Sequence, residues 1–192
     1  MKHSTILGID PDTREMGLAL LRDGEPRYFG VRKLRDGARP HDAVDQAKQF
    51  VLAAIEEHQP QVVAIEQPFK LPTRRSYLLD AIADELRARA PELGLKVVRL
   101  APGEIRRRVT GDPRATRVQV AEHLARSGLD EVSTLITSRA AGPTPGDRPR
   151  EAYWLPMSGA LAIALAARDV PMGRPAGRSV TGSALRPRGI DD

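Results

Sequence analysis

The chain has 192 residues, with 30 Lys and Arg against 25 Asp and Glu, which gives a formal net charge of +5. This length predicts one domain of ordinary size, and the basic balance favours a polyanionic partner. The absence of Cys excludes disulfides, thiolate catalysis and cysteine-based zinc sites. No apolar run reaches the length of about 18 residues that a membrane span needs, so we expect a soluble, cytoplasmic protein.

The first third of the chain predicts a meander of strands followed by a helix. Strand-like runs separated by turn residues lie at residues 5–10, 17–21 and 27–34. Apolar residues between Val44 and Ile55 recur at spacings of three and four, which predicts an amphipathic helix over residues 40–58. Pro60 ends this helix.

The rest of the chain predicts further strands and then helices. Strands are expected at residues 61–66 and 95–100, and helices at 76–90, 102–109 and 115–126. Ser158 can cap a final helix that continues through Ala167. The sequence thus predicts one α/β domain over residues 1–169, with a Pro- and Gly-rich excursion near 138–152 and a basic disordered or extended tail at 170–192.

Two of the predicted strands each deliver one carboxylate at their end. Asp10 follows the apolar run Ile6-Leu7-Gly8-Ile9, and Glu66 follows Val62-Val63-Ala64-Ile65. Carboxylates that end buried strands hold the metal ions of many nucleases. This pattern predicts a metal-dependent enzyme that acts on phosphates.

Three motifs together resemble the RuvC family of Holliday junction resolvases, over roughly residues 4–168. They are Leu7-Gly8-Ile9-Asp10-Pro11 with Gly17, Ala64-Ile65-Glu66-Gln67 with Phe69, and Gly159-Ala160-Leu161-Ala162-Ile163-Ala164. The resemblance implies an RNase H-like α/β fold with a mixed five-stranded sheet flanked by helices. It also implies a homodimer that nicks four-way DNA junctions, with Asp10 and Glu66 side by side as catalytic acids that bind Mg²⁺ or Mn²⁺. Acids placed together at half-buried strand ends need a cation to offset their repulsion.

The chain departs from this family at the start of its last helix. RuvC proteins place two further metal ligands there, and those positions fall on Pro156 and Gly159, whose side chains cannot bind a metal. With half the usual carboxylates, a second metal ion should be held weakly or not at all. Asp12 and Glu151 are candidate replacement ligands, although a solvated turn residue is the alternative for Asp12.

A cluster of arginines predicts contacts with DNA phosphates. Arg106, Arg107, Arg114 and Arg117 crowd a short helix, a turn and the next helix, where guanidinium groups and helix N-termini suit phosphate. The resemblance places Arg106 and Arg117 where RuvC has lysines that touch the DNA backbone. The alternative is a solvated basic face.

A second group of candidate DNA-binding residues follows Glu66. Phe69 matches the family's aromatic residue at the junction centre, where a ring can stack on an unpaired base, and the alternative is a core Phe. Arg74 and Arg75 favour a DNA-facing loop beside it.

Two functions follow from these features. The first is a metal-dependent endonuclease of the RuvC type that acts on branched DNA. The second is a degenerate relative that binds and stabilises four-way junctions without cutting them, because removal of a catalytic acid often costs orders of magnitude in rate. A retained nuclease is favoured, since both strand acids are present. An RNase H-like exonuclease or RNA-processing enzyme is a weaker third alternative.

Overall fold

The computed structural model describes residues 4–12, 14–34, 40–67, 73–127 and 151–170. Its strands are β1 (Thr5–Pro11), β2 (Glu15–Arg22), β3 (Glu25–Lys33), β4 (Val62–Glu66) and β5 (Lys96–Leu100). Its helices are α1 (Pro40–His58), α2 (Arg74–Leu93), α3 (Pro102–Thr110), α4 (Arg117–Arg126) and α5 (Glu151–Arg168). No helix in these ranges is long and apolar enough to cross a membrane.

The strands form one mixed five-stranded sheet in the order β3-β2-β1-β4-β5. The predicted meander is confirmed, since β1 pairs antiparallel with β2 and β2 pairs antiparallel with β3. The crossover through α1 then places β4 parallel to β1, and β5 pairs parallel with β4. This arrangement confirms the predicted α/β fold, and it puts β1 and β4 side by side in the middle of the sheet.

A separate hydrophobic core lies on each face of the sheet, because successive side chains of a strand point to opposite faces. Leu7, Ile9 and Ile65 pack with residues of α1 and α2 on one face. Ile6 and Ala64 pack on the other face against α3, α4 and the alanine-rich part of α5. The two predicted catalytic acids therefore share a face with α5, since Asp10 and Glu66 continue the even-numbered positions of their strands.

Helix α5 lies very close to the sheet at two glycines. A Cβ atom on Gly8 would lie 2.1 Å from the carbonyl oxygen of Ala160, and one on Gly17 would lie 1.9 Å from that of Pro156. Such distances are far below van der Waals contact, so only glycine fits at these strand positions. The small residues of β1 and β2 thus allow the backbone of α5 to approach the strand that ends at Asp10.

The prediction that Ser158 caps the last helix is wrong. Helix α5 begins at Glu151, includes Pro156 and contains Ser158 as a buried internal residue. Proline removes one backbone hydrogen bond from a helix, but packing of this segment against the sheet overrides that local cost. Residues 151 and 152, which the sequence predicts to lie in the excursion, belong to α5. Residues 138–150 of the excursion, and the tail beyond Val170, lie outside the described residues.

Candidate active site

Asp10 and Glu66 lie together at one edge of the sheet. Strands β1 and β4 run parallel with Ile9 opposite Ile65, so the next residue of each strand carries its carboxylate to the same edge and the same face. The Asp10 side chain is 2% exposed and that of Glu66 is 14% exposed. The pairing that the sequence predicts for these two acids is present in the structure.

The cation between these acids is a guanidinium group of the same chain. Arg75 Nη2 donates to Asp10 Oδ1 at 2.7 Å, and Nη1 donates to Glu66 Oε1 at 2.8 Å. Arg75 Nε also donates to the carbonyl oxygen of Pro11 at 3.1 Å. The planar guanidinium fork therefore joins the ends of β1 and β4 through several fixed hydrogen bonds.

The start of helix α2 places Arg75 in this position. Thr73 is the N-cap residue, and its hydroxyl accepts a hydrogen bond from the backbone N–H of Ser76 at 3.0 Å. The Thr73 backbone N–H donates to Ser76 Oγ at 3.2 Å, which completes a capping box. Since Arg75 is the second residue of α2, the cap fixes the direction from which its side chain approaches the acids.

Arg117 contacts the same acid from the other side. Its Nη2 donates to Asp10 Oδ2, and its Nη1 donates to Asp12 Oδ2 at 3.1 Å. Arg117 is the first residue of α4, which follows the N-cap Thr116. Both carboxylate oxygens of Asp10 therefore accept hydrogen bonds from arginines that arrive from two different helices.

Burial and these arginines act on the acidity of the site in opposite directions. Burial raises the pKa of Asp10 above 3.8, against the charges of Arg117 and Arg75, which lower it. Burial alone would lower the pKa of Arg75, but the charges of Asp10 and Glu66 outweigh that effect and raise it above its ordinary value. Arg75 therefore carries its positive charge at neutral pH.

Helix α5 contributes closely packed backbone to the site in place of ligands. Gly159 lies directly against Asp10, and a Cβ atom there would lie 1.9 Å from Asp10 Oδ2. Pro156 is buried one helical turn earlier. Of the two positions where the RuvC resemblance implies further ligands, Gly159 therefore closes over the Asp10 carboxylate, and the backbone of Pro156 packs against Gly17 of β2.

The donor set suits one hard divalent cation and does not suit two. Mg²⁺ is usually held by one or two carboxylates together with substrate phosphates. Asp10 and Glu66 can provide the two carboxylates. Among the described residues, no group of three or more His, Cys, Asp or Glu side chains could hold a metal ion. The oxygens that a cation would need accept hydrogen bonds from Arg75 and Arg117 in this structure.

The predicted replacement ligands differ in their relation to this site. Asp12 lies at its edge, where it shares Arg117 with Asp10. Glu151 is the first residue of α5, eight residues before Gly159, which corresponds to about 12 Å along a helix axis. That backbone separation does not favour Glu151 as a ligand beside Asp10, and its side chain lies outside the described residues.

The predicted DNA-binding residues fall into three groups. Arg106 is half-buried and Arg107 exposed on α3, and Arg114 is exposed in the turn before α4. Phe69 and the side chain of Arg74 lie outside the described residues. The prediction that Arg75 belongs to a DNA-facing loop is wrong, because Arg75 is in α2 and its side chain turns inward to the acids.

Comparison with known proteins gives consistent matches. Residues 6–134 match the family described as crossover junction endodeoxyribonuclease RuvC. The protein of that name from Chlorobaculum parvum is 33% identical over 132 residues, which are 66% of this chain and 71% of the relative. The one from Clavibacter michiganensis is 31% identical over 169 residues, which are 84% of this chain and 74% of the relative.

Solved structures show the same fold. A Thermus thermophilus RuvC structure superposes with a TM-score of 0.58 at 21% identity, and the match covers 85% of this chain and 93% of that one. The same protein in complex with a Holliday junction substrate gives a TM-score of 0.56 at 20% identity, over 86% of this chain and 93% of that one. A yeast mitochondrial Holliday junction resolvase gives 0.56 at 16% identity, over 85% and 77%. The RNase H-like architecture implied by the sequence resemblance agrees with these matches.

Proposed function

Because this chain belongs to the family of RuvC crossover junction endodeoxyribonucleases, we propose that it binds four-way DNA junctions and cuts their backbone beside Asp10 and Glu66. The single observation that supports this site is the meeting of both acids at one edge of the sheet, within the matched residues. A buried carboxylate next to a second acid is costly, and such arrangements are concentrated at functional sites.

We propose that Asp10 and Glu66 hold one Mg²⁺ or Mn²⁺ ion during cleavage. When bound, a divalent cation stabilises charge on phosphate oxygens and makes water a better nucleophile. The chain's own residues position the acids through Arg75 and screen them with Arg117. With Asp10, Glu66 and Asp12 ionised, these five side chains keep one net negative charge, which favours one added cation over two.

DNA binding is assigned to a surface made by Arg106, Arg107, Arg114 and Arg117, which we call the α3–α4 basic surface. Arg114 and Arg117 lie at the N-terminus of α4, which suits phosphate, and Arg106 and Arg107 lie on α3. Arg117 also pairs with Asp10. Phe69 and Arg74 stay predictions for contacts near the junction centre. We also propose that the protein acts in the cytoplasm as a homodimer, whose two active sites face one junction. Equilibrium sedimentation of the purified protein tests whether it forms a dimer.

A second candidate function is binding of junctions without cleavage. It is favoured by the arginines on both oxygens of Asp10 and by Gly159 and Pro156 at the positions of further ligands. The same basic surface would then hold the junction, and the acids would serve only to order the arginines.

One cleavage experiment separates these functions. A labelled synthetic four-way junction and a linear duplex of the same sequence are incubated with the full chain in Mg²⁺, in Mn²⁺ and in EDTA. The variants are Asp10→Asn and Glu66→Gln, and the matched control is Asp84→Asn, an exposed acid on α2 that pairs with Arg87. Gel shifts in EDTA measure binding in parallel with cutting, and circular dichroism checks that each variant folds.

The endonuclease proposal predicts junction cleavage that needs a divalent cation, survives in Asp84→Asn and is lost in Asp10→Asn. If the wild type and all variants bind the junction in gel shifts but none cuts it, only the function of binding without cleavage remains. If the junction and the linear duplex compete equally, both candidate functions are wrong. Loss of activity in Asp12→Asn or Glu151→Gln would identify a further ligand.

A further inference from the structure

The Asp10 and Glu66 carboxylates are bridged by the guanidinium group of Arg75. This group forms more directed hydrogen bonds than are needed to neutralise their charge. One guanidinium group donates to Asp10, to Glu66 and to the Pro11 carbonyl, at distances of 2.7, 2.8 and 3.1 Å. Distances in this range are those of full hydrogen bonds, and a planar fork fixes the angle between the two carboxylates. Arg75 therefore defines the relative position of the acids.

The surroundings of Arg75 distinguish it from the surface arginines of the chain. Its side chain is 19% exposed, whereas that of Arg87 on the same helix is 61% exposed. The Thr73 capping box fixes the first turn of α2, so the guanidinium group is held from its backbone as well as by its acceptors. A buried ion pair with several satisfied hydrogen bonds resists separation much more than an exposed pair does.

We propose that Arg75 is a positioning residue that serves as a built-in cation for Asp10 and Glu66, holding the pair together without metal and competing with any divalent cation for it. The inference concerns the same site as the proposed function and rests on Asp10 and Glu66 being its acids. It adds a condition for metal binding: a divalent cation can bind between the two acids only when the guanidinium group of Arg75 moves away from them.

The competition follows from the oxygens involved. A cation between the two strands would bind the carboxylate oxygens that face each other, and Arg75 occupies one oxygen of each acid there. Gly159 closes over the other oxygen of Asp10, and Arg117 donates to it. A unit positive charge within a few ångströms strongly opposes a dication, so removal of the Arg75 charge should tighten metal binding at least about tenfold after screening.

The test measures metal binding in the absence of DNA and of activity. Mn²⁺ is titrated into the metal-free full chain, and free Mn²⁺ is counted from its electron paramagnetic resonance signal. We expect Arg75→Gln to lower the Mn²⁺ dissociation constant at least about tenfold relative to the wild type. The matched control Arg87→Gln removes the same charge from the same helix and should change the constant by less than about twofold.

A second variant covers loss of folding in Arg75→Gln. Lys keeps the charge but lacks the planar fork that spans Asp10, Glu66 and the Pro11 carbonyl, so Arg75→Lys should stay folded and bind Mn²⁺ at least about threefold more tightly than the wild type. If Arg75→Gln unfolds in EDTA and folds when Mn²⁺ is added, the metal replaces the guanidinium group, which supports the proposal.

An unchanged or weaker Mn²⁺ affinity in the folded variants would overturn the proposal, whatever the junction assay shows. Conversely, tighter Mn²⁺ binding together with uncut junctions would support the role of Arg75 and contradict the endonuclease function. The two failures are therefore distinguishable.

Discussion

Replacement of Gly159 by Ala tests how tightly α5 closes over the acid. The new Cβ would lie 1.9 Å from Asp10 Oδ2, and ordinary contact begins near 3.4 Å, so the carboxylate must retreat by about 1.5 Å. A shift of this size breaks the hydrogen bond from Arg75 Nη2, now 2.7 Å long. Overpacking costs about 1–3 kcal/mol, and separation of a buried ion pair costs up to about 5 kcal/mol.

The higher helix propensity of Ala offsets about 1 kcal/mol of these costs. The free energy of unfolding of Gly159→Ala should therefore be about 2–4 kcal/mol lower than that of the wild type. Urea unfolding followed by circular dichroism measures this change. Gly103→Ala in α3 is the matched control, because its Cβ would lie 3.7 Å from the carbonyl oxygen of Pro113, which is ordinary van der Waals contact. We expect the stability of this control to stay unchanged or rise by up to about 1 kcal/mol. If Gly159→Ala unfolds at the same urea concentration as the wild type, α5 does not hold the Asp10 carboxylate as described.

Three further predictions concern the charges of the site. Burial raises the pKa of Asp10, and the charges of Arg117 and Arg75 act against this rise. Arg75→Gln should therefore raise the pKa of Asp10 further. NMR titration of the Asp10 carboxyl carbon measures this pKa, and a lower value in the variant would contradict the prediction. Because a raised pKa means that the folded state binds this proton more readily, the contribution of Asp10 to stability falls as the pH increases from 3.8 through its folded pKa. Glu66→Gln should lower the free energy of unfolding by about 1 kcal/mol, since Arg75 loses a charged acceptor; an unchanged midpoint in urea unfolding would contradict this. Arg117→Gln should weaken junction binding and reduce the slope of log affinity against log salt by about 1, whereas an unchanged slope would remove Arg117 from the phosphate contacts.

The position of the acids could be predicted because it depends on local patterns. The apolar runs before Asp10 and Glu66 identify strands, and a helical crossover between them implies a parallel pair with both ends at one edge. The same reasoning also predicts that neighbouring acids need a cation. It does not say which cation, and the structure supplies one from the chain itself.

The role of Arg75 could not be predicted, because it depends on contacts between distant parts of the chain. Arg75 is 65 residues from Asp10, and its place beside Arg74, shortly after Phe69, favours a DNA-facing loop when only the sequence is considered. One signal was available: Thr73 and Ser76 have the spacing of a capping box, which starts the helix at Arg74 and places Arg75 in its first turn.

The start of α5 was missed for a related reason. Pro156 is a strong local signal against a helix, and the helix continues through it only because Gly8 and Gly17 on the sheet leave room for its backbone. Tertiary packing of this kind cannot be read from the residues near Pro156.

The most direct test of the central claim is an anomalous difference map from crystals of the full chain soaked in Mn²⁺ without DNA. The account predicts that Arg75 bridges Asp10 and Glu66 wherever no ion is present, and that at most one Mn²⁺ peak appears between them, with the guanidinium group moved away. A peak between the acids while Arg75 still bridges them, or two peaks at that edge of the sheet, would contradict it.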